Sequence, residues 1–216
     1  KQSQQAMSDT TPTVFIVDDD HSVLRSLSRV VRQAAYKPVT FSSADHFLDA
    51  IAHAPIQPAC LLLDLHLPGM NGLEVQKHLA AIPAACPIVF ISGNATIPAT
   101  VQAIKNGAVT FLAKPFDHDD LLKSIEEALE KHRAQIRELT QTGSIHDRIT
   151  SLTDREREVM AWVISGALNK QIAAQLGIVE KTVKVHRARV MEKMQAASVA
   201  DLVRLCVAAG FESAKA

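Results

Sequence analysis

Five short apolar runs, each followed by a stretch of helical period, alternate along the first half of this chain. The runs are Thr13–Val17, Lys37–Phe41, Ala59–Leu63, Pro87–Ile91 and Thr110–Ala113. After the first, Val23, Leu24, Leu27, Val30 and Val31 fall on one helical stripe. Ala44, Phe47, Leu48 and Ile51 follow the second run, and Leu73, Val75, His78 and Leu79 follow the third. The fourth helix covers about Ile97–Asn106 and closes on Gly107, placed to take the left-handed turn after a helix end. The last starts near Asp117 and Asp119, whose charge suits a helix start. Five such units predict a doubly wound α/β fold around a five-stranded parallel sheet. The runs are apolar rather than alternating, as strands covered on both faces are.

That sheet does not account for the whole chain. With 216 residues there is room for two domains, and the charge is divided. Residues 1–147 carry 12 Lys/Arg against 16 Asp/Glu, and residues 148–216 carry 11 against 7. A basic second half suggests a domain that faces nucleic acid. Three cysteines without paired spacing, Cys60, Cys86 and Cys206, predict buried thiols in a reducing compartment. No apolar run reaches membrane-spanning length, so the expectation is a soluble, cytoplasmic protein without a membrane partner. Residues 1–11 read as a tag remnant ahead of Met7 and a disordered start.

The fifth helical pattern overruns its domain. Leu122, Ile125, Leu129, His132, Ile136 and Leu139 are spaced as a heptad seam, which predicts a long signalling helix, a self-association face or, for its first half, simply the core face of the domain's last helix. A flexible break is expected over residues 140–149, at Gly143 and Ser144. From Ser151 on the pattern is all helical. Thr153 and Glu156 form a capping box before Val159, Met160, Val163 and Ile164. A helix over about Asn169–Leu176, a turn at Gly177 and a helix over about Lys181–Met194 make a helix-turn-helix, with a fourth helix from Ser198. The expected divisions are 12–130, a linker helix and hinge over 131–147, and 148–212.

The chemistry gathers where strands end. Asp18, Asp19 and Asp20 follow the first run, Asp64 the third and Lys114 the fifth. The carboxyl ends of neighbouring parallel strands line one crevice. Crowded carboxylates repel, which calls for a cation, and hard oxygen donors suit Mg²⁺. One carboxylate facing the opening can attack phosphorus, with Lys114 neutralising a phosphoryl oxygen and Ser92 hydrogen-bonding another. Asp20 has a second explanation as the cap of the helix that follows. A phosphatase that turns over an aspartyl phosphate would need a second acid in the motif, and Asp64-Leu65-His66 lacks it; no turnover enzyme is expected. In the second half, Lys181, Lys184, Val185, Ala188 and Arg189 share one face of their helix, opposite Val183, Val190 and Met194. A small, basic face suits a DNA major groove.

Residues 12–130 resemble the receiver domain of bacterial two-component response regulators. The resemblance rests on Val17-Asp-Asp19, Leu63-Asp64, Pro68-Gly-Met-Asn-Gly72, Ile91-Ser92-Gly93 and Lys114-Pro115-Phe116, in order and spacing. It implies a strand order of 2-1-3-4-5 and Asp64 as phosphoacceptor. It implies Mg²⁺ held by Asp18, Asp19, Asp64 and the His66 backbone carbonyl. Ser92 and Phe111 become the switch pair, Lys114 the partner of the phosphoryl group, and Lys114-Pro115 a cis bond. His66 and Asn94 stand at positions that tune phosphoryl lifetime in such domains. Residues 148–212 resemble the LuxR-type helix-turn-helix, through Leu152–Val159, Asn169–Ala173, Leu176-Gly177 and Lys181–His186. That implies base contacts around Lys184 and Val185 and phosphate contacts near Lys170, Lys181, Thr182 and Arg187, with Arg189 on the same basic face. Ala188 stands where some relatives carry a basic side chain, which leaves base preference open. The pair of domains is similar to the FixJ/NarL regulators. Their kind implies a sensor histidine kinase, double-stranded promoter DNA, a homodimer on phosphorylation and RNA polymerase as partners. The competing reading is a receiver fold without a working phosphoswitch, controlled by protein contacts alone.

Overall fold

The computed structural model describes residues 11–214. The expected tag remnant and disordered start therefore lie, except for residue 11, outside the described residues. The chain divides into two compact units with the boundary between Arg137 and Glu138.

The first unit holds β1 (Thr13–Val17), α1 (His21–Gln33), β2 (Lys37–Phe41), α2 (Ala44–Ala52), β3 (Ala59–Asp64), α3 (Gly72–Leu79), β4 (Ile88–Ser92), α4 (Ile97–Lys105) and β5 (Thr110–Ala113). The strands form one parallel sheet in the order β2-β1-β3-β4-β5. The doubly wound fold and its order are as expected. β3, at the centre, is buried at all six positions, and β4 at all five. Successive residues therefore feed opposite cores. Leu61, Leu63 and Phe90 pack with Phe47 and Val75 on one face. Cys60, Leu62, Val89 and Ile91 pack with Leu27, Val31, Leu121 and Ile125 on the other.

Local chemistry sets the helix starts. Asp20 accepts the Ser22 N–H at 2.7 Å and begins α1 as its cap, as expected. Asn71 and Glu74 exchange hydrogen bonds in a capping box that opens α3. Gly107 takes φ +94 just past α4. Lys114-Pro115 is cis.

α5 (His118–Thr150) departs from expectation. The flexible break foreseen over 140–149 does not form, and helix continues through Gly143. A helical glycine costs about 1 kcal/mol relative to alanine. Burial of Ile145 and Ile149 in the second unit's core offsets that cost several-fold. The first half of the heptad seam takes the core-face alternative. Ile125 and Leu129 belong to the first unit's core, His132 is 3 % exposed, and Leu139 is exposed. The stripe up to His132 is the packing face of its own unit.

The second unit adds α6 (Asp154–Ile164), α7 (Asn169–Leu176), α8 (Glu180–Lys193) and α9 (Val199–Ala208). Val159, Met160, Ile172, Val183, Val190, Met194, Leu202 and Cys206 form its core. The expected capping box at Thr153 and Glu156 is present. Glu156, itself 2 % exposed, also takes the Lys193 ammonium at 2.6 Å. All three cysteines are free and buried, as expected.

Candidate functional site

Strand register assembles the pocket. Val17 lies opposite Leu63, Asp64 opposite Ile91 and Ser92 opposite Ala113. The residues at or just past these positions, Asp18, Asp64, Ser92 and Lys114, therefore surround one end of the sheet. The Lys114 Nζ donates to Asp18 Oδ2 at 2.7 Å and to Asp64 Oδ1 at 3.2 Å. One ammonium thus bridges the carboxylates of two strands. Asp18 is 3 % exposed and Asp64 8 %, while Asp19 and Asp20 are exposed.

The two charges inside this pocket respond differently. Burial is the largest influence on Asp64 and raises its carboxyl above the ordinary range. The His66 N–H, which donates to its Oδ2 at 2.7 Å, and the Lys114 ammonium oppose that rise. For Lys114 burial favours the neutral amine, but the hydrogen bond and charge of Asp18, with those of Asp64, outweigh it. The ammonium is held above its ordinary value. A single positive charge against Asp18 and Asp64, with Asp19 beside them, leaves negative charge uncompensated. That donor set suits a hard divalent cation. The described residues contain no ready-made group of three acidic, His or Cys side chains around a metal-sized space; Lys114 stands between the two buried carboxylates instead.

Around Asp64 the remaining expected residues divide. Ser92 is 1 % exposed. Its Oγ accepts the Asn94 N–H at 3.2 Å and lies 3.3 Å from His66 Nδ1. Phe111, half-buried, stacks on Phe90 with ring centroids 5.9 Å apart. Two features were missed by sequence reasoning. The first is the His66–Ser92 side-chain contact, since residues 26 apart carry no local signal of meeting. The second is Gly72. A β-carbon there would lie 2.7 Å from the Asp64 carbonyl oxygen and 2.8 Å from Phe90 Cε1. Its place in the Pro68–Gly72 block was visible, but the contact that demands a glycine was not.

In the second unit, α7 closes at Gly177, whose φ of +64 lets the chain turn sharply into α8. Val183 and Val190 face the core. Lys181, Lys184, Val185 and Arg189 are exposed on α8, as is Lys170 on α7. These five stand where the sequence placed a DNA-facing surface. Two others differ. Thr182 is half-buried, and half-buried Arg187 donates to Asn169 Oδ1 at 3.0 Å, bracing α8 against the start of α7. Lys184 lies 3.5 Å from Glu180, an exposed pair one turn apart that contributes a few tenths of a kcal/mol.

Comparison with known proteins matches both units. Residues 14–126 match the response regulator receiver domain, and residues 150–206 match the bacterial regulatory proteins of the luxR family. The chain is 44% identical over 202 residues to the response regulator protein TmoT of Ectopseudomonas mendocina, covering 94% of this chain and 91% of that one. It is 37% identical over 197 residues to the transcriptional regulatory protein FixJ of Bradyrhizobium diazoefficiens, covering 91% and 95%. Among solved structures it is similar to the response regulator StyR, with a TM-score of 0.81 at 43% identity over 92% of this chain and 99% of that one. Full-length FixJ from B. japonicum gives a TM-score of 0.55 at 37% identity, covering 93% and 98%.

Proposed function

The chain belongs to the two-component response regulators that join a receiver domain to a LuxR-type DNA-binding domain, and from that premise we propose that Asp64 is the phosphoacceptor and that its phosphorylation controls how α8 engages promoter DNA. The observation that supports this reading best is the Lys114 bridge between Asp18 and Asp64. A buried carboxylate pair held by one ammonium is a site whose charge can be changed and sensed. The family is one of transcriptional regulators and not a known enzyme class.

The chain's own groups suit each part of the transfer. An Asp64 carboxylate oxygen attacks phosphorus and forms an O–P bond. The donor's bond to phosphorus breaks, and its electron pair leaves with a kinase imidazole or with acetate from acetyl phosphate. Asp18, Asp19, Asp64 and the His66 carbonyl are the groups that would hold Mg²⁺, which supplies charge neutralisation when bound. Lys114 shifts its hydrogen bond from the free carboxylate to a phosphoryl oxygen. Ser92 then turns its hydroxyl from His66 toward another phosphoryl oxygen, and Phe111, packed on Phe90, follows into the space. The altered surface is the face made by α4, β5 and the start of α5. A histidine kinase is the donor on this reading, and phosphorylation pairs two copies for two half-sites. RNA polymerase is a further partner on the same grounds.

In the DNA-binding unit, Lys184 and Val185 would meet base edges, and Lys170, Lys181, Thr182 and Arg189 would flank phosphates. Arg187 spends one of its five N–H donors on Asn169, which helps fix the angle between α7 and α8, and the others remain for a phosphate. Among the described residues no helix is long and apolar enough to cross a membrane. The test is a gel shift on promoter fragments with and without acetyl phosphate and Mg²⁺. Tighter binding after treatment, lost in Asp64→Asn, supports the switch. Equal binding in all four samples supports control by protein contacts alone.

A further inference from the structure

The end of the sheet remote from Asp64 contains a buried imidazole that the phosphoswitch does not use. His132 sits on α5, past the last residue matched to the receiver domain, and is 3 % exposed. Its partners are three backbone groups on two other segments. The Ala59 N–H donates to Nδ1 at 2.9 Å, and the Ala59 carbonyl lies 2.9 Å from the same nitrogen. Nε2 lies 2.8 Å from the Ala84 carbonyl oxygen.

Strand geometry explains why Ala59 needs this partner. Leu61 donates its N–H to Pro87, on the β4 side of β3. Ala59, two residues earlier, points its N–H and carbonyl to that same side. But β4 begins at Ile88, in register with Leu61, so no β4 residue stands opposite Ala59. His132 takes the place of the missing strand. Its other nitrogen secures Ala84, a non-glycine residue at φ +54 in the connection between α3 and β4. A backbone conformation of that kind persists only where its surroundings hold it.

Pairing the Ala59 N–H selects one tautomer of the ring. A nitrogen that accepts the Ala59 N–H carries no proton, so Nε2 carries it and donates to Ala84. Protonating Nδ1 takes the acceptor from the Ala59 N–H, leaving that buried donor unpaired, and only the Ala59 carbonyl on the same residue can take the new proton. Nor does the surrounding space favour a cation. His132 borders a cavity of about 330 Å³ whose walls come from β1, α2 and the connections leading into β3 and β4. Phe15, Ile51, Ile56 and Ile82 are among them, and no carboxylate or ammonium lines it. Its other titratable wall group is Cys86, whose thiol burial pushes up to about 12. Cys60, next to Ala59, is a buried thiol shifted in the same direction. The nearby charges on α5 are turned elsewhere: Lys131 donates to the Gly107 carbonyl, and Arg133 pairs with Glu130.

We propose that His132 is a proton-sensitive latch, which in its neutral form fixes the turn of α5 beyond the receiver match to the base of the sheet and on protonation releases it. Burial holds the imidazole below its ordinary value, against the pull of the Ala84 and Ala59 hydrogen bonds. The released form therefore binds the proton more readily. The latch is fully made above the ordinary imidazole pKa of about 6.5 and is lost as pH falls through the lowered one. Between those two values each pH unit lowers the closed-to-open ratio by up to about tenfold, and below the lowered one the ratio levels off.

The test is a pH titration of the full chain by NMR, following the His132 ring, the Ala59 amide and exchange protection of amides 129–137. The expected result is a His132 midpoint below the ordinary one, with Ala59 moving at that midpoint and protection corrected for intrinsic exchange falling as pH approaches it from the ordinary imidazole pKa and levelling off below it. An ordinary His132 midpoint, or an Ala59 amide indifferent to it, overturns the proposal. Protection that stays constant between the ordinary imidazole pKa and the His132 midpoint overturns it too. In His132→Leu the acid step in Ala59 should vanish, and its persistence would contradict the latch. If that variant does not fold, the joint titration in the wild type decides alone.

Discussion

Replacing Gly72 by alanine tests whether the Asp64 strand end is positioned by close backbone contact. Gly72 opens α3 and donates its N–H to the Leu65 carbonyl at 2.9 Å. An added β-carbon would sit 2.7 Å from the Asp64 carbonyl oxygen, 2.8 Å from Phe90 Cε1 and 3.1 Å from Leu65 Cα. Two of these neighbours are backbone of the segment that carries the acceptor, and Phe90 is fully buried. None can move aside without disturbing the core, so the cost falls in the overpacking range of about 1–3 kcal/mol. In a unit of this size, about 2 kcal/mol lowers the melting temperature by roughly 5–10 °C. Gly93→Ala is the control. It has nothing within 4 Å of a β-carbon and no positive φ, so its change should stay within about 0.5 kcal/mol. The assay is calorimetry of the full chain. Trp162, the only tryptophan, lies in the second unit and reports independently on its unfolding. Gly72→Ala should move the first unit's transition and leave the Trp162 transition in place. It should also slow labelling by acetyl phosphate, because α3 pushes on Asp64. A Gly72→Ala protein as stable as Gly93→Ala and labelled at the wild-type rate would refute the close-contact argument.

Other expectations follow from the same geometry. Lys193→Met should destabilise the second unit by about 1–3 kcal/mol, since it leaves the Glu156 carboxylate buried without its ammonium. Glu156 is held below the ordinary carboxylate range by the Lys193 hydrogen bond first and by the Thr153 N–H next. Its contribution is present above the ordinary glutamate pKa and lost as pH falls through the lowered one. Acid titration of Trp162 fluorescence should therefore lose that component in Lys193→Met. Ser92→Ala should still accept a phosphoryl group, yet show a smaller gain in promoter binding on treatment, measured by gel shift. Lys184→Ala should weaken promoter binding and reduce its salt dependence, by about one unit of log–log slope if the ammonium meets a phosphate. Wild-type affinity and slope would remove Lys184 from the interface.

The sheet and its pocket are legible in sequence because each strand stands as a short apolar run and each site residue stands at a strand's end. Once β1, β3, β4 and β5 are neighbours, Asp18, Asp64, Ser92 and Lys114 have nowhere else to be. What stays hidden depends on meetings between distant residues. The His66 ring reaches Ser92, and Gly72 underlies Asp64, through contacts that no periodicity records. α5 misleads for a related reason. Gly143 and its polar neighbours look like a break, but helix or hinge is decided by where Ile145 and Ile149 are buried, which is tertiary information. His132 looks like a polar interruption in a heptad, whereas it completes the hydrogen bonding of Ala59, a need visible only when β4 is seen to start late. The helix-turn-helix is read more completely, because Gly177 and the alternation of valines with basic residues on α8 are local signals. Even there the bond of Arg187 to Asn169 is hidden, because it comes from the crossing of two helices.

The most direct test of Asp64 as the reversible charge is the intact mass of the full chain after incubation with acetyl phosphate and Mg²⁺. A gain of one phosphoryl group in the wild type, absent in Asp64→Asn and reversed by hydroxylamine, is the predicted result. An unchanged wild-type mass, or equal labelling of Asp64→Asn, would contradict it.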